Sequence, residues 1–147
     1  MNQFSTASKQ RLATCHYLIQ KLFNEVLQLH DCGIVYGFRT NEEQAKLYEA
    51  GKSQLKPGNS LHNREPSLAV DVIPFVKGLG GITGNKARDS YYFYHFAGIV
   101  RAVAIQQKTP IRWGGDWDGD GNFFDQSFND LYHWELPLTY ATIPSEA

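Results

Sequence analysis

The sequence predicts an α+β fold, a small antiparallel sheet packed with about three helices. Three observations point to it. Apolar residues recur at helical spacing in three separated stretches. Short β-branched or aromatic runs lie between and after those stretches. The two kinds of element follow one another without regular strand–helix–strand alternation, which disfavours a doubly wound parallel sheet.

The elements follow in order. Leu12, Cys15, Leu18, Ile19, Leu22, Phe23, Val26 and Leu29 form a stripe that predicts one long amphipathic helix from about Thr6 to Leu29. Lys9, Arg11, Lys21 and Glu25 face water on its other side. Gly33, just past its end, suits a left-handed C-terminal cap. Ile34 to Phe38 is β-branched and aromatic and predicts a strand. Thr40-Asn41-Glu42-Glu43 resembles a capping box opening a second helix that runs to Ala50 and stops at Gly51. Residues 51–67 are rich in Gly, Pro, Ser and Asn and predict an exposed loop. Leu68 to Phe75 reads as a buried strand, with Pro74 interrupting it. Lys77 to Asn85 holds four glycines and reads as the least structured stretch. A third helix, Asp89 to Lys108, turns Tyr92, Phe93, Phe96, Ile99, Val100, Val103 and Ala104 inward. Strands at Ile111 to Trp113 and Tyr132 to Leu136 enclose a Gly/Asp loop.

Composition sets limits. A chain of 147 residues is expected to form a single domain, 1–147, with a real core. A net charge of -1 offers no basic stripe for nucleic acid. No stretch approaches the ~20 apolar residues that cross a bilayer. The N-terminus lacks the pattern of a signal peptide, so cytoplasmic synthesis is expected. Cys15 and Cys32 fit no metal or redox motif, and Cys15 lies on an apolar helix face as a buried thiol would. His16, His30 and His95 read as surface or packing histidines.

Three separated residues carry the chemistry. His62, Asp71 and His133 offer two imidazoles and one carboxylate, the N/O set a hydrolytic zinc ion needs while keeping one position open for water. Asp71 is the anomaly among them. A carboxylate inside Leu-Ala-Val-Asp-Val-Ile is costly to bury unless a cation or several donors satisfy it. An aspartate bonded to the N–H groups of a neighbouring turn is an equally good reading of Asp71 alone. Strand geometry puts Ala69, Asp71 and Ile73 on one face of their strand, and His133 and Glu135 likewise share a face of theirs, with Trp134 turned away. Glu135 or a backbone carbonyl would then fix the tautomer of His133. Asp130, three residues earlier, is placed to take a proton from water as general base, although a turn-forming aspartate after Asn129 explains it as well.

These residues resemble the zinc peptidases of the M15 type. Ser60-x-His62 leading to Ala69-x-Asp71, then Asp130-x-x-His133-x-Glu135, carries the likeness. Gly37-Phe38-Arg39-Thr40, continuing through Gln44 to Leu47-Tyr48, and Trp113-Gly114-Gly115-Asp116-Trp117 extend it over most of the chain. The family includes D-alanyl-D-alanine peptidases and the L-alanyl-D-glutamate endopeptidases of phage endolysins. The resemblance implies zinc held by His62, Asp71 and His133 in a cleft at the sheet. It implies Asp130 as catalytic acid and base, and Arg39 directed at the substrate or the oxyanion. Ser60, Gln44 and Glu135 would support the ligands or the substrate. Arg64-Glu65-Pro66-Ser67 makes the turn between the first two ligands longer than is common in the family. An aspartate at 130, where some branches carry glutamate, fits the endolysin-like branch.

Asp116, Asp118, Asp120 and Asn122, with Gly121 at the sixth position, resemble the opening of an EF-hand calcium loop. The twelfth position is Ser127 instead of the bidentate glutamate, so a calcium site and a solvated acidic turn stand level. Calcium there would order the segment leading to Asp130.

The expected function is therefore a zinc-dependent, monomeric peptidoglycan peptidase that acts on the wall after release. An L-alanyl-D-glutamate endopeptidase comes first, with a D-alanyl-D-alanine carboxypeptidase as the neighbouring alternative. A non-catalytic zinc- or calcium-binding wall module is the reading from another class. Asp130 beside a complete ligand set speaks against it, because a structural zinc is usually closed by four protein ligands.

Overall fold

The structure, a computed structural model, describes residues 1–142. Residues 143–147, part of the expected single domain, lie outside the described residues. Among the described residues, four α-helices pack with a four-stranded antiparallel sheet, as the α+β expectation requires. In chain order they are α1 (Thr6–Leu12), α2 (Tyr17–Leu29), β1 (Cys32–Tyr36), α3 (Asn41–Glu49), β2 (Ala69–Pro74), α4 (Lys86–Gln107), β3 (Arg112–Trp113) and β4 (His133–Glu135). The sheet order is β1-β2-β4-β3.

Alternation divides the sheet into two faces of opposite character. Val70 pairs with Trp134 across β2 and β4, and both point into the core with Val72. α2 and α4 cover that face with Ile19, Leu22, Phe23, Phe96, Val100 and Val103. Trp134 stacks on Trp113 of β3, ring centroids 5.6 Å apart. The opposite face carries Ala69 opposite Glu135 and Asp71 opposite His133. One strand pair thus supplies apolar packing on one side and titratable groups on the other.

The first helix is not continuous. The apolar stripe runs on through residues 13–16, but their backbone groups are drawn elsewhere. His16 N donates to Ser67 O (2.8 Å) and Ser67 N donates to Thr14 O (2.9 Å). These bonds join the break to the residue before Leu68 and leave His16 as the N-cap of α2, its Nδ1 accepting from Leu18 N. The buried thiol of Cys15 lies at the same break, and burial pushes its pKa up to about 12.

Gly33 does not cap a helix either. α2 ends at His30, which is extended, and Gly33 lies within β1. Its lack of a side chain instead lets the Phe75 ring pass, since a Cβ there would stand 2.7 Å from that ring. The capping box at Thr40 forms as expected, with Glu43 closing it. Gly51 (φ 71°) follows α3 in the left-handed region. α4 begins three residues earlier than expected, at Lys86, because Asn85 caps it. Asp89, inside its first turn, reaches back to accept from Thr83 N, Thr83 Oγ1 and Gly84 N. Those bonds order the end of the glycine-rich stretch.

Gly37 leaves the sheet against the α1–α2 break, where a Cβ would collide with the carbonyl oxygen of Arg11 and with Thr14 Oγ1. The first of these is backbone and cannot swing aside. Gly37→Ala is therefore expected to destabilise the metal-free protein by about 1–3 kcal/mol, the usual cost of overpacking. Gly33→Ala, which meets only a side-chain ring, should cost less. Denaturant unfolding of both variants checks the order, and an equal or reversed cost would count against this account.

Candidate active site

The three expected ligands converge although 71 positions separate the first from the last. His62 sits on a short 3-10 turn, Leu61–Asn63, whose start is capped by Ser60 Oγ accepting from His62 N. Its Nδ1 lies 2.8 Å from Gly37 O, so that nitrogen carries the hydrogen and Nε2 keeps its lone pair. His62 Nε2 is buried and makes no hydrogen bond. It stands 3.4 Å from Asp71 Oδ1, and His133 Nδ1 stands 3.3 Å from the same oxygen. A tetrahedral ion with ligand bonds of about 2.0–2.1 Å spaces its ligand atoms roughly 3.4 Å apart. The donor set, its spacing and the unpartnered nitrogen all fit a small N/O-preferring metal.

Each of the three candidate ligands is held from behind. His133 Nε2 lies 2.7 Å from Glu135 Oε1, and Arg112 Nη2 lies 2.7 Å from Glu135 Oε2. Arg112 is opposite Glu135 in the β3–β4 pairing, and its guanidinium also lies over Trp117. On the other side Arg39 Nη2 lies 3.3 Å from Asp71 Oδ2, while Nη1 donates to Gln44 Oε1 at 2.8 Å. Gln44, fully buried, passes the support on through Nε2 to Ser53 Oγ and Leu55 O. Arg39 N donates to His62 O, so the same residue braces two of the candidate ligands.

The electrostatics follow from this packing. Burial would raise the Asp71 pKa, but His62 and His133 together pull it well below the usual carboxylate range. Burial likewise opposes ionisation of Glu135, and His133 and Arg112 reverse the effect. Asp130 moves the other way. Burial and the Asp71 charge raise its pKa against weaker pulls from His133 and His62. Asp130 lines the ligand cleft, a cavity of about 350 Å³ that Arg39 and Trp117 also line. It is fixed by its backbone, Asp130 N donating to Gly114 O and His133 N to Asp130 O.

The sequence profile of the phage L-alanyl-D-glutamate peptidases matches residues 1–137. The chain belongs to that family. The expectation of an endolysin-like peptidoglycan peptidase, an enzyme and not a passive wall-binding module, is thereby borne out. Among solved structures, the fold resembles the Serratia marcescens L-Ala D-Glu endopeptidase ChiX, with TM-score 0.70 and 23% identity. The match covers 94% of this chain and 92% of that one, and it speaks for the fold. A comparison with curated proteins finds no match.

The acidic loop of this phage peptidase family member is drawn together as well. Ligand atoms of Asp116, Asp118 and Asp120 lie within 4.8 Å of one another. Much of their bonding capacity is already used. Asp116 Oδ2 pairs with Arg101 at 2.8 Å, Asp118 Oδ1 accepts from Asp120 N, and Asp120 Oδ1 accepts from Asn122 N. Asn122 Oδ1 accepts from Phe124 N. Asp116 Oδ1 is buried without a hydrogen-bond partner. Trp117 joins the loop to the site: its Nε1 donates to Phe128 O, and its ring lies 5.6 Å from that of His133.

Arg112 escaped the sequence reading. A basic residue on a two-residue strand is unremarkable until the register places it opposite Glu135. The role of Gly37 was hidden for the same reason, because its carbonyl meets a ring 25 residues away.

His133 provides a pH test of the metal-free site. Burial lowers its pKa, yet the bonds to Asp71 and Glu135 raise it from 6.5 to about 9. A raised pKa in the folded state means that protonation favours folding. The contribution is complete below 6.5 and is lost as pH rises through about 9. In chelator-treated protein, the melting-temperature advantage over His133→Gln should shrink across that range. An advantage that stays constant would contradict the assignment.

Proposed function

We propose that the protein is a zinc-dependent endopeptidase that hydrolyses the L-Ala–D-Glu bond of peptidoglycan stem peptides. It acts as a monomeric, single-domain catalyst on the wall once it is released from the cytoplasm. The observation that carries the reading is the convergence of His62 Nε2, Asp71 Oδ1 and His133 Nδ1 beside Asp130 in one cleft. The family's described specificity supports the choice of bond.

His62, Asp71 and His133 would hold the metal. Bound zinc supplies Lewis acidity, lowering the pKa of water from 15.7 to about 7. Everything else falls to the chain. Asp130 takes the proton of the attacking water and delivers it to the nitrogen of the leaving D-glutamate, and its raised pKa suits a group that must do both. Arg39 is held by Gln44 and Asp71 at the cleft wall, where its donors are fixed before the carbonyl oxygen gains charge. Glu135 and Arg112 hold the His133 ring in orientation.

Asp130→Asn is expected to bind zinc as the parent does while losing about 10²–10⁴-fold in kcat, the usual contribution of a general acid/base. Turbidity loss of purified cell wall measures the rate, and mass spectra of the released fragments identify the bond. New N-terminal D-glutamate is the expected product. Release of D-alanine alone, or full activity in Asp130→Asn, would overturn the proposal.

For the acidic loop we propose a calcium ion held by Asp116, Asp118, Asp120 and Asn122, favoured by the unpartnered Asp116 Oδ1. The ion would stiffen the segment that Trp117 ties to Phe128 and so steady Asp130. Calcium should raise the melting temperature of the parent and leave Asp118→Ala unchanged. An identical response of the two proteins would exclude the site.

A further inference from the structure

The cleft continues past Asp130 into a second, wider cavity of about 770 Å³ between the start of α4 and the segment 128–132. Lys52, Phe128 and Asp130 line both chambers. The cations here are not equivalent. Arg39 and Arg112 line only the first chamber, where they pair with Asp71 and Glu135. Lys86 lines only the second chamber. Lys52 has no carboxylate within salt-bridge distance among the described residues.

The backbone at Lys52 is nevertheless well fixed. Gly51 turns the chain at the end of α3, and the N–H groups of Lys52 and Ser53 both donate to Leu47 O (2.8 and 3.1 Å). Buried Gln44 then holds Ser53 and Leu55. Lys52, an exposed residue, therefore stands on a fixed backbone where the two chambers meet, and it lines both of them together with Asp130, the residue that would protonate the leaving group.

The leaving group's chemistry says what such a cation meets. The nitrogen that Asp130 protonates belongs to D-glutamate. That residue has two carboxyl groups, and only one is used when the stem continues through its side chain. The free α-carboxylate is two bonds from the leaving nitrogen, so its oxygens lie roughly 3 Å from it. A cation that recognises this carboxylate must line the same stretch of cleft as Asp130. The geometry points to Lys52 as the specificity residue that selects a free carboxylate on the leaving side of the scissile amide. This rests on the bond assignment made above.

Two synthetic stem peptides test it, L-Ala–γ-D-Glu–L-Lys with the α-carboxyl free and the same peptide with that carboxyl amidated. The parent is expected to cut the free acid with about tenfold higher kcat/KM, the low end for a hydrogen bond to a charged group. In Lys52→Gln the preference should vanish through a raised KM for the free acid, with kcat and melting temperature little changed. Lys52→Arg should restore it, and Lys86→Gln should keep it. A parent without preference, or a preference that survives in Lys52→Gln, would overturn the inference while leaving the bond assignment intact. If the parent cuts neither peptide between alanine and glutamate, the bond assignment fails and this inference falls with it.

Discussion

Everything at this site depends on one buried carboxylate. Asp71 occupies a strand whose neighbours Ala69, Val70 and Val72 are fully excluded from water. A lone ionised group there would be strongly unfavourable. It is tolerated because three cationic or polarisable groups meet it, His62, His133 and Arg39. The donor atoms of His62 and His133 stand from Asp71 Oδ1 at the spacing a small tetrahedral dication would need. The polar face of the sheet is therefore stable only as a set, and removing one partner leaves the others uncompensated.

The two faces of β2 and β4 connect this constraint to the core. Trp134 and Val70 anchor the pair from below, so Asp71 and His133 are brought opposite each other by apolar packing that does not involve either. The edge strand β3 adds Trp113 to the core and Arg112 to the site by the same alternation. Close approaches fill in the rest. Gly114 lets the Asp130 backbone pack so close that a Cβ would collide with the Asp130 carbonyl oxygen, and the Gly37 carbonyl reaches His62. Precision at the ligands is thus a consequence of where small residues permit backbone contact.

Much of this was legible in the sequence, for identifiable reasons. A carboxylate in an apolar strand stands out locally, and so do a capping box at Thr40 and the alternation of His133, Trp134 and Glu135. The break between α1 and α2 did not show, because the bonds that cause it come from Ser67, some fifty positions away. The apolar stripe continued through the break because Cys15 is buried on either geometry. Glycine after a helix is usually a cap, so the local sequence at Gly33 points to one. Its actual use, room for the Phe75 ring, depends on the pairing of β1 with β2. Strand register was the missing quantity for Gly33 and for Arg112, and Arg112 opposite Glu135 is the case with a chemical consequence.

Register also gives the three carboxylates of the cleft different environments. Asp71 and Glu135 each have cationic partners fixed by strand pairing, and their pKa values fall despite burial. Asp130 lies outside the strands, on the turn before β4, and has no salt-bridge partner among the described residues. Burial and the charge of Asp71 therefore dominate, and its pKa rises. Groups whose environments push their pKa values apart divide the work of a site: those held ionised bind and orient, and the one held closer to neutrality exchanges protons. The sheet carries the first kind and the turn the second, which supports the proposed division of labour between His133 as ligand and Asp130 as acid and base.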